Sequence, residues 1–222
     1  MSSLLQLLDF ILHIDAYLFL LIQDYGLWIY AILFLIIFVE TGLVFMPLLP
    51  GDSLLFAAGT FCAGVMQDNH LAQLNLWVVL SLLIFAAIIG DATNYLIGKN
   101  FGLKLAQTKI RNYQLINEKH LQKTHEFFEK HGPKTIIIAR FVPIVRTFAP
   151  FVAGIAQMRY SIFFKFNALG GTLWVLSLTL LGYFFGNLSF VRNNFETVIF
   201  GIIGLSLLPM IFAVLREKLK KD

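Results

Sequence analysis

The sequence predicts an all-α, multi-pass membrane protein made of two inverted repeats, each a re-entrant helical hairpin plus a spanning helix, accompanied by amphipathic helices. Three observations carry this prediction. The composition is 58% hydrophobic and only 14% charged, with a mean hydropathy of +0.77, whereas an ordinary soluble domain carries roughly 25% charged residues. Two apolar stretches hold charges among prolines: residues 38–59 (FVETGLVFMPLLPGDSLLFAAG) contain Glu40, Asp52, Pro47 and Pro50, and residues 139–154 (ARFVPIVRTFAPFVAG) contain Arg140, Arg146, Pro143 and Pro150. A charge at bilayer depth costs ~2.5–3.5 kcal/mol on insertion scales, so it needs a partner, a water-filled cavity or a proton. Finally, all 17 Lys and Arg lie at or beyond Lys99, while Asp9, Asp15, Asp24, Glu40, Asp52, Asp68 and Asp91 precede it. The formal charge of +4 therefore concerns topology and lipid headgroups, and nucleic-acid binding has no support.

The whole chain, 1–222, reads as a single integral membrane domain. Its first segment, 1–26, carries Asp9, His13 and Asp15 near one helical face, which suits an interfacial amphipathic helix better than a span. It lacks the basic start of a cleaved signal peptide and is expected to be retained. Hairpin 27–66 follows. Residues 27–49 could cross, but Pro47 and Pro50 stop them, and 53–64 make only ~18 Å of helix at 1.5 Å per residue. That falls short of a ~30 Å hydrocarbon core, and broken backbone is tolerated at such depth where protein buries it.

A polar loop at 67–75, free of Lys and Arg, leads into a spanning helix at 76–98. Segment 99–134 then holds eight Lys or Arg against three Glu, which places it in the cytoplasm under the positive-inside rule. Within it Leu115, Leu121, Phe127 and Phe128 outline an amphipathic helix for anionic lipid. Hairpin 135–159 enters from that side, with Pro143 and Pro150 as its breaks and Arg146 in broken backbone between them. Spanning helices at 166–186 and 198–215 end in a basic cytoplasmic tail of Arg216, Lys218, Lys220 and Lys221.

A single crossing between the hairpins makes the second half an inverted copy of the first. The crossing helices end alike, in Leu96-Ile97-Gly98 then Phe101-Gly102 and in Leu180-Leu181-Gly182 then Phe185-Gly186. Inverted repeats with interrupted helices near the midplane are the architecture of alternating-access transporters.

With ETGL at Glu40, LPGDSLLF from Leu49, GDATNY at Gly90 and RFVPIVRTFAPFVAG from Arg140, the chain resembles the DedA family of membrane proteins along nearly its whole length. The resemblance implies a bacterial cytoplasmic-membrane protein with paired re-entrant hairpins. It also implies a role in returning undecaprenyl phosphate across the membrane or in envelope maintenance dependent on the proton-motive force, with lipid scrambling in eukaryotic relatives. The family's functional acids and arginines fall on Glu40, Asp52, Arg140 and Arg146. Membrane lipids and a polyprenyl phosphate are the partners implied.

The residue chemistry agrees with an anion site. A guanidinium presents a rigid fork of donors that matches a phosphate, which makes Arg140 and Arg146 the expected lipid-phosphate ligands. Glu40 and Asp52 are expected to neutralise them as ion pairs or to carry the coupling proton or ion. Asp52-Ser53 could also start a half-helix whose amino terminus favours the same anion, with Asp52 as N-cap. Asp91 is a secondary candidate, expected to snorkel or pair near the cytoplasmic interface, with Asn94 and Tyr95 in the same surroundings.

The bland counterpart is a set of buried ion pairs that merely join the hairpins. Gly42, Gly59, Gly64, Gly154, Gly170 and Gly171 are expected to permit close helix packing. No cofactor and no metal are expected, since Cys62 is the lone cysteine and His120, His125 and His131 do not share a metal-binding face. No histidine nucleophile lies near the hairpins, so the chain is not expected to be an enzyme. The function expected is a flippase for a lipid-linked phosphate. The alternatives are a proton-coupled exporter of small cations or drugs and a non-transporting envelope scaffold. Nothing in the sequence sets an oligomeric state.

Overall fold

The computed structural model describes residues 14–43, 51–67, 70–107, 109–110, 113–114, 132–194, 197–198, 200–201 and 204. The start of the first segment, Pro47 and Pro50, the amphipathic stretch 115–128, the histidines at 120, 125 and 131, and most of 198–222 lie outside the described residues. The helices are α1 (Ile14–Tyr25), α2 (Trp28–Gly42), α3 (Gly51–Cys62), α4 (Leu76–Gln107), α5 (Lys134–Ala139), α6 (Pro143–Ile155), α7 (Tyr160–Phe185) and α8 (Ser189–Asn193). Two short antiparallel hairpins join them, β1 (Val65–Gln67) with β2 (His70–Ala72) and β3 (Lys109–Ile110) with β4 (Tyr113–Gln114). Two helices, Leu76–Gly102 and Tyr160–Phe185, are long and apolar enough to cross a membrane. This is a largely helical membrane protein.

Its chain forms two compact units, one of Met1–Ile36, Leu48–Leu83 and Val175–Asp222, the other of Ile37–Pro47 and Ile84–Trp174. In the first unit, the Leu74 amide donates to the Phe61 carbonyl (3.1 Å) and the Asn75 amide to the Tyr30 hydroxyl (2.9 Å). The end of α3 and the starts of α2 and α4 therefore share one end of this unit. The expected polar loop there is a β-hairpin, entered through Gly64 at φ +87, a left-handed conformation that glycine adopts without a Cβ penalty. Asn75 caps α4, its Oδ1 accepting from the Trp77 (3.0 Å) and Val78 (3.2 Å) amides.

Helix α3 is 12 residues long and buried at every position except Asp52. It lies on the last turns of α7 with almost no side chain between. A Cβ at Gly59 would overlap the Thr179 carbonyl, and one at Gly182 the Phe56 carbonyl. Thr60 Oγ1 donates to the Gly182 carbonyl at 3.3 Å and fills the space over Gly186.

The second unit repeats this contact with other helices. Here α6 lies on α4: a Cβ at Gly154 would overlap the Tyr95 carbonyl, one at Gly98 the Phe151 carbonyl, and one at Gly102 the Ile155 side chain. Phe56, Gly59 and Thr60 on α3 thus find their counterparts in Phe151, Gly154 and Ile155 on α6. Gly182 and Gly186 likewise match Gly98 and Gly102. Tyr95 stacks on Phe163 of α7 with ring centroids 4.4 Å apart, beside Ile136 and Ala153, and closes the core of this unit.

Several boundaries differ from those read off the sequence. Helix α4 continues to Gln107, past residue 98, because no proline interrupts it and α6 lies directly against Gly98 and Gly102. Helix α7 starts at Tyr160 rather than 166, since Lys165 is exposed and its long stem is compatible with a helix interior. The second hairpin breaks at 140–142, not at both prolines. Pro143 opens α6 after the extended Val142 (φ −121, ψ 106), where a missing amide costs nothing, and Pro150 sits inside α6. Arg146 is consequently helical, its amide bonded to the Val142 carbonyl at 2.8 Å, rather than in broken backbone.

Candidate functional site

The site forms in the second unit around the middle of the Leu76–Gly102 stretch of α4. Gly90 admits α2 at close range: its Cβ would collide with Thr41 Oγ1, and a Cβ at Gly42 would meet the Gly90 backbone at 3.5 Å. That approach seats Glu40 and Thr41, both buried, beside α4. One turn on, Asn94 Nδ2 donates to the Thr41 carbonyl (3.1 Å) and the Thr147 carbonyl (2.8 Å), tying α2 and α6 to α4.

Helix α5 climbs against α4 and α7 until it breaks at Arg140. The guanidinium of Arg140 is 2% exposed and meets Asp91, itself 1% exposed, in an ion pair. The same Nη2 donates to Asn167 Oδ1 (2.6 Å) and to the Ala87 carbonyl (3.3 Å). Asn167 is held in turn by its Nδ2, which donates to the Ile88 carbonyl at 3.0 Å. Opposite, Gly170 and Gly171 of α7 leave room for the arginine, since a Cβ at Gly171 would stand 3.3 Å from Cζ, Nη1 and Nη2. These two glycines accommodate a charged side chain, not only a neighbouring backbone.

Arg146, in the first turns of α6, pairs with Glu40 at 2.5 Å. Trp174 joins the two pairs: its ring centroid is 4.6 Å from Cζ of Arg146 and 5.9 Å from Cζ of Arg140. A desolvated guanidinium over an indole gains up to ~2 kcal/mol. Removing one partner of a buried ion pair costs roughly 3–5 kcal/mol, because the other charge stays behind uncompensated. Among the described residues, Nε and Nη1 of Arg140 and Oδ1 of Asp91 are buried without a hydrogen-bond partner. Buried polar atoms of this kind are few in folded proteins, and these are donors and an acceptor that a bound oxyanion or a proton would engage.

Glu40, Arg140 and Arg146 are thus brought together. Asp52 belongs to the other compact unit, half-buried in the first turn of α3, inside the helix rather than at its N-cap. Asp91, expected to snorkel or to pair, is buried and pairs with Arg140. Sequence reasoning does not single out Asn167 or Trp174. An asparagine near a Gly-Gly pair in an otherwise apolar helix is the available signal for the first, and nothing marks the second.

The VTT domain is matched over residues 49–184 of the chain. Protein DedA of Escherichia coli (strain K12) is 52% identical over 212 residues, 96% of this chain and 94% of that protein. An uncharacterised membrane protein of Mycobacterium leprae (strain TN) is 44% identical over 178 residues, 80% of this chain and 76% of its own. Inner membrane protein YqjA of Escherichia coli (strain K12) is 36% identical over 160 residues, 71% of this chain and 68% of that protein. No solved structure matches. With the VTT domain spanning most of its length and a relative of this identity along nearly all of it, the chain belongs to the DedA family of VTT-domain membrane proteins.

Proposed function

We propose that the protein is a transporter or flippase for a lipid-linked phosphate, with undecaprenyl phosphate as the substrate, coupled to protons or another ion and serving the integrity of the cell envelope. In this reading it performs no covalent chemistry. Arg140 and Arg146 hold the phosphate, Glu40 occupies Arg146 when no substrate is bound, and Asp52 is a second coupling acid contributed by the first hairpin.

The observation that carries the proposal is the pair of buried arginines at the middle of a spanning helix, both against Trp174 and each matched by a carboxylate. An ion pair that only joined helices would gain little over apolar packing. Arginine is the side chain whose fork fits a phosphate.

The re-entrant, inverted-repeat architecture belongs to the same proposal. Helix α3 is too short for a ~30 Å core and is almost wholly enclosed by protein. The matched contacts of α3 on α7 and of α6 on α4 are what two related halves would make. With the basic 99–134 segment inside, the chain crosses the cytoplasmic membrane several times and ends in the cytoplasm.

The test is inward movement of a fluorescent undecaprenyl phosphate analogue in sealed proteoliposomes, comparing wild type with Arg146→Ala. Movement in the wild type that is lost in the variant supports the reading. Folded wild-type protein that moves no analogue rejects it, and competition by cationic compounds for the same site would instead favour a cation exporter.

A further inference from the structure

The end of the first unit where α3 stops and α2 and α4 start carries apolar side chains that the protein does not cover. In the β1–β2 hairpin Met66 stands opposite Leu71, so the two share one face, and Val65 shares the other with Ala72. Ala72 is buried and Val65 half-buried, whereas Met66 and Leu71 are each more than half exposed. An antiparallel hairpin with one face in water places polar residues there. This hairpin places a methionine and a leucine. Beside it, Leu27 and Trp28 stand at the start of α2 and Trp77 in the first turn of α4, each more than two-thirds exposed.

These residues are held together within one unit. The Asn75 amide bonded to the Tyr30 hydroxyl joins the starts of α4 and α2, and the Leu74 amide bonded to the Phe61 carbonyl joins β2 to α3. On the other side of the hairpin, Asn187 Nδ2 donates to the Gly64 carbonyl at 2.9 Å. What covers the apolar face follows from the helix it adjoins. The apolar stretch Leu76–Gly102 has 27 residues, ~40 Å of helix at 1.5 Å per residue. A bilayer is ~30 Å of hydrocarbon and ~40–45 Å with its head groups, so the first turn of α4 reaches the head-group layer.

We infer that Met66 and Leu71 of the β1–β2 hairpin, with Leu27, Trp28 and Trp77, insert into the boundary between lipid head groups and acyl chains, and that this apolar contact fixes the depth of α3 and α4. Tryptophan favours that layer. The open edges of a two-stranded hairpin require the same depth, because their amides and carbonyls find water among head groups and none in hydrocarbon. Head-group charge does not drive the insertion, since all 17 Lys and Arg lie at or beyond Lys99. The 67–75 connection, polar in composition, is therefore a membrane contact.

The experiment attaches the fluorophore NBD to Leu71→Cys in the full chain, in a Cys62→Ser background, in phosphatidylcholine nanodiscs whose two faces are both open to solvent. The expected result is strong quenching by lipids spin-labelled near the head of the acyl chain, weaker quenching by lipids labelled near its methyl end, and little by aqueous iodide. Met66→Cys, on the same face, should repeat this order, and adding phosphatidylglycerol should leave it unchanged. Unlabelled wild type gives an independent reading. Of its three tryptophans Trp174 is buried, so quenching by brominated lipid reports Trp28 and Trp77, and bromine near the head of the chain should quench more.

Full quenching by iodide and none by lipid puts the face in water and overturns the inference. Protection from both quenchers puts protein over it, a second copy or another partner, and overturns it as well. So does stronger quenching by the deeper label, which would sink the hairpin into hydrocarbon, or a pattern that needs phosphatidylglycerol, which would make the contact electrostatic. None of these results bears on phosphate transport. If the cysteine variants do not fold, the tryptophans of the wild type decide alone.

Discussion

Arg146 and Trp174 are in contact through a guanidinium 4.6 Å from the indole centroid, and the same ring lies 5.9 Å from Arg140. One fully buried aromatic thus touches both cations of the site. Trp174→Phe keeps a weaker π face, and transport should fall a few-fold. Trp174→Leu removes it, and at ~2 kcal/mol for a desolvated cation–π contact the loss should reach about 10-fold or more. Initial rates in proteoliposomes read both, and an unchanged rate for the leucine variant rejects a role for the ring.

Gly171→Ala places a methyl 3.3 Å from three guanidinium atoms of Arg140, a side chain that can shift by tenths of an ångström. The expected outcome is folded protein with transport reduced roughly ten-fold, since a tenfold change needs only about 1.4 kcal/mol. Gly182→Ala and Gly98→Ala meet backbone carbonyls, of Phe56 and Phe151, that cannot move without separating helices. Both should lower the melting temperature in detergent, the overpacking cost being about 1–3 kcal/mol. Equal losses in the two variants would match the repeated contact; tolerance of either would contradict the close approach.

Arg140→Lys keeps the charge but removes the planar fork, whose Nη2 meets Asp91, Asn167 and the Ala87 carbonyl while its Nε and Nη1 have no hydrogen-bond partner among the described residues. Expression should be preserved and transport lost. Wild-type transport in this variant would argue against a phosphate contact at position 140.

Exchanging the partners, Glu40→Arg with Arg146→Glu, separates structure from transport. Each single change leaves like charges buried together and should destabilise the protein by several kcal/mol. The double variant restores an ion pair and should recover much of the melting temperature without recovering transport. Recovery of envelope function as well would mean that the pair only joins α2 to α6.

Orientation can be read in a Cys62→Ser background, because Cys62 is the only cysteine. A cysteine at Asp68 should react with a membrane-impermeant thiol reagent added outside whole cells, and one at Lys130 only after the membrane is opened. The reverse pattern would invert the proposed topology.

Charges in apolar runs are legible in the sequence, because burying a guanidinium or carboxylate in hydrocarbon is costly in whatever fold contains it. Glu40, Arg140 and Arg146 stand out for that reason, and the helical membrane class follows from composition and from helix length against bilayer thickness. The choice of partners is not legible. Asp91 lies 49 residues from Arg140 along the chain, and its sequence neighbours point only toward the interface at Lys99.

The same limit applies to Pro150, which reads as a break and sits inside a helix, and to Gly171, whose missing side chain makes room for an arginine. Asn167 and Trp174 carry no charge, so nothing in an apolar helix requires an explanation for them. The sequence by itself determined that this is a helical membrane protein with charges that must be compensated. Only the tertiary structure decided which group compensates which, because pairing depends on where helices distant in sequence come within a few ångströms, through glycine contacts whose partners no local pattern encodes.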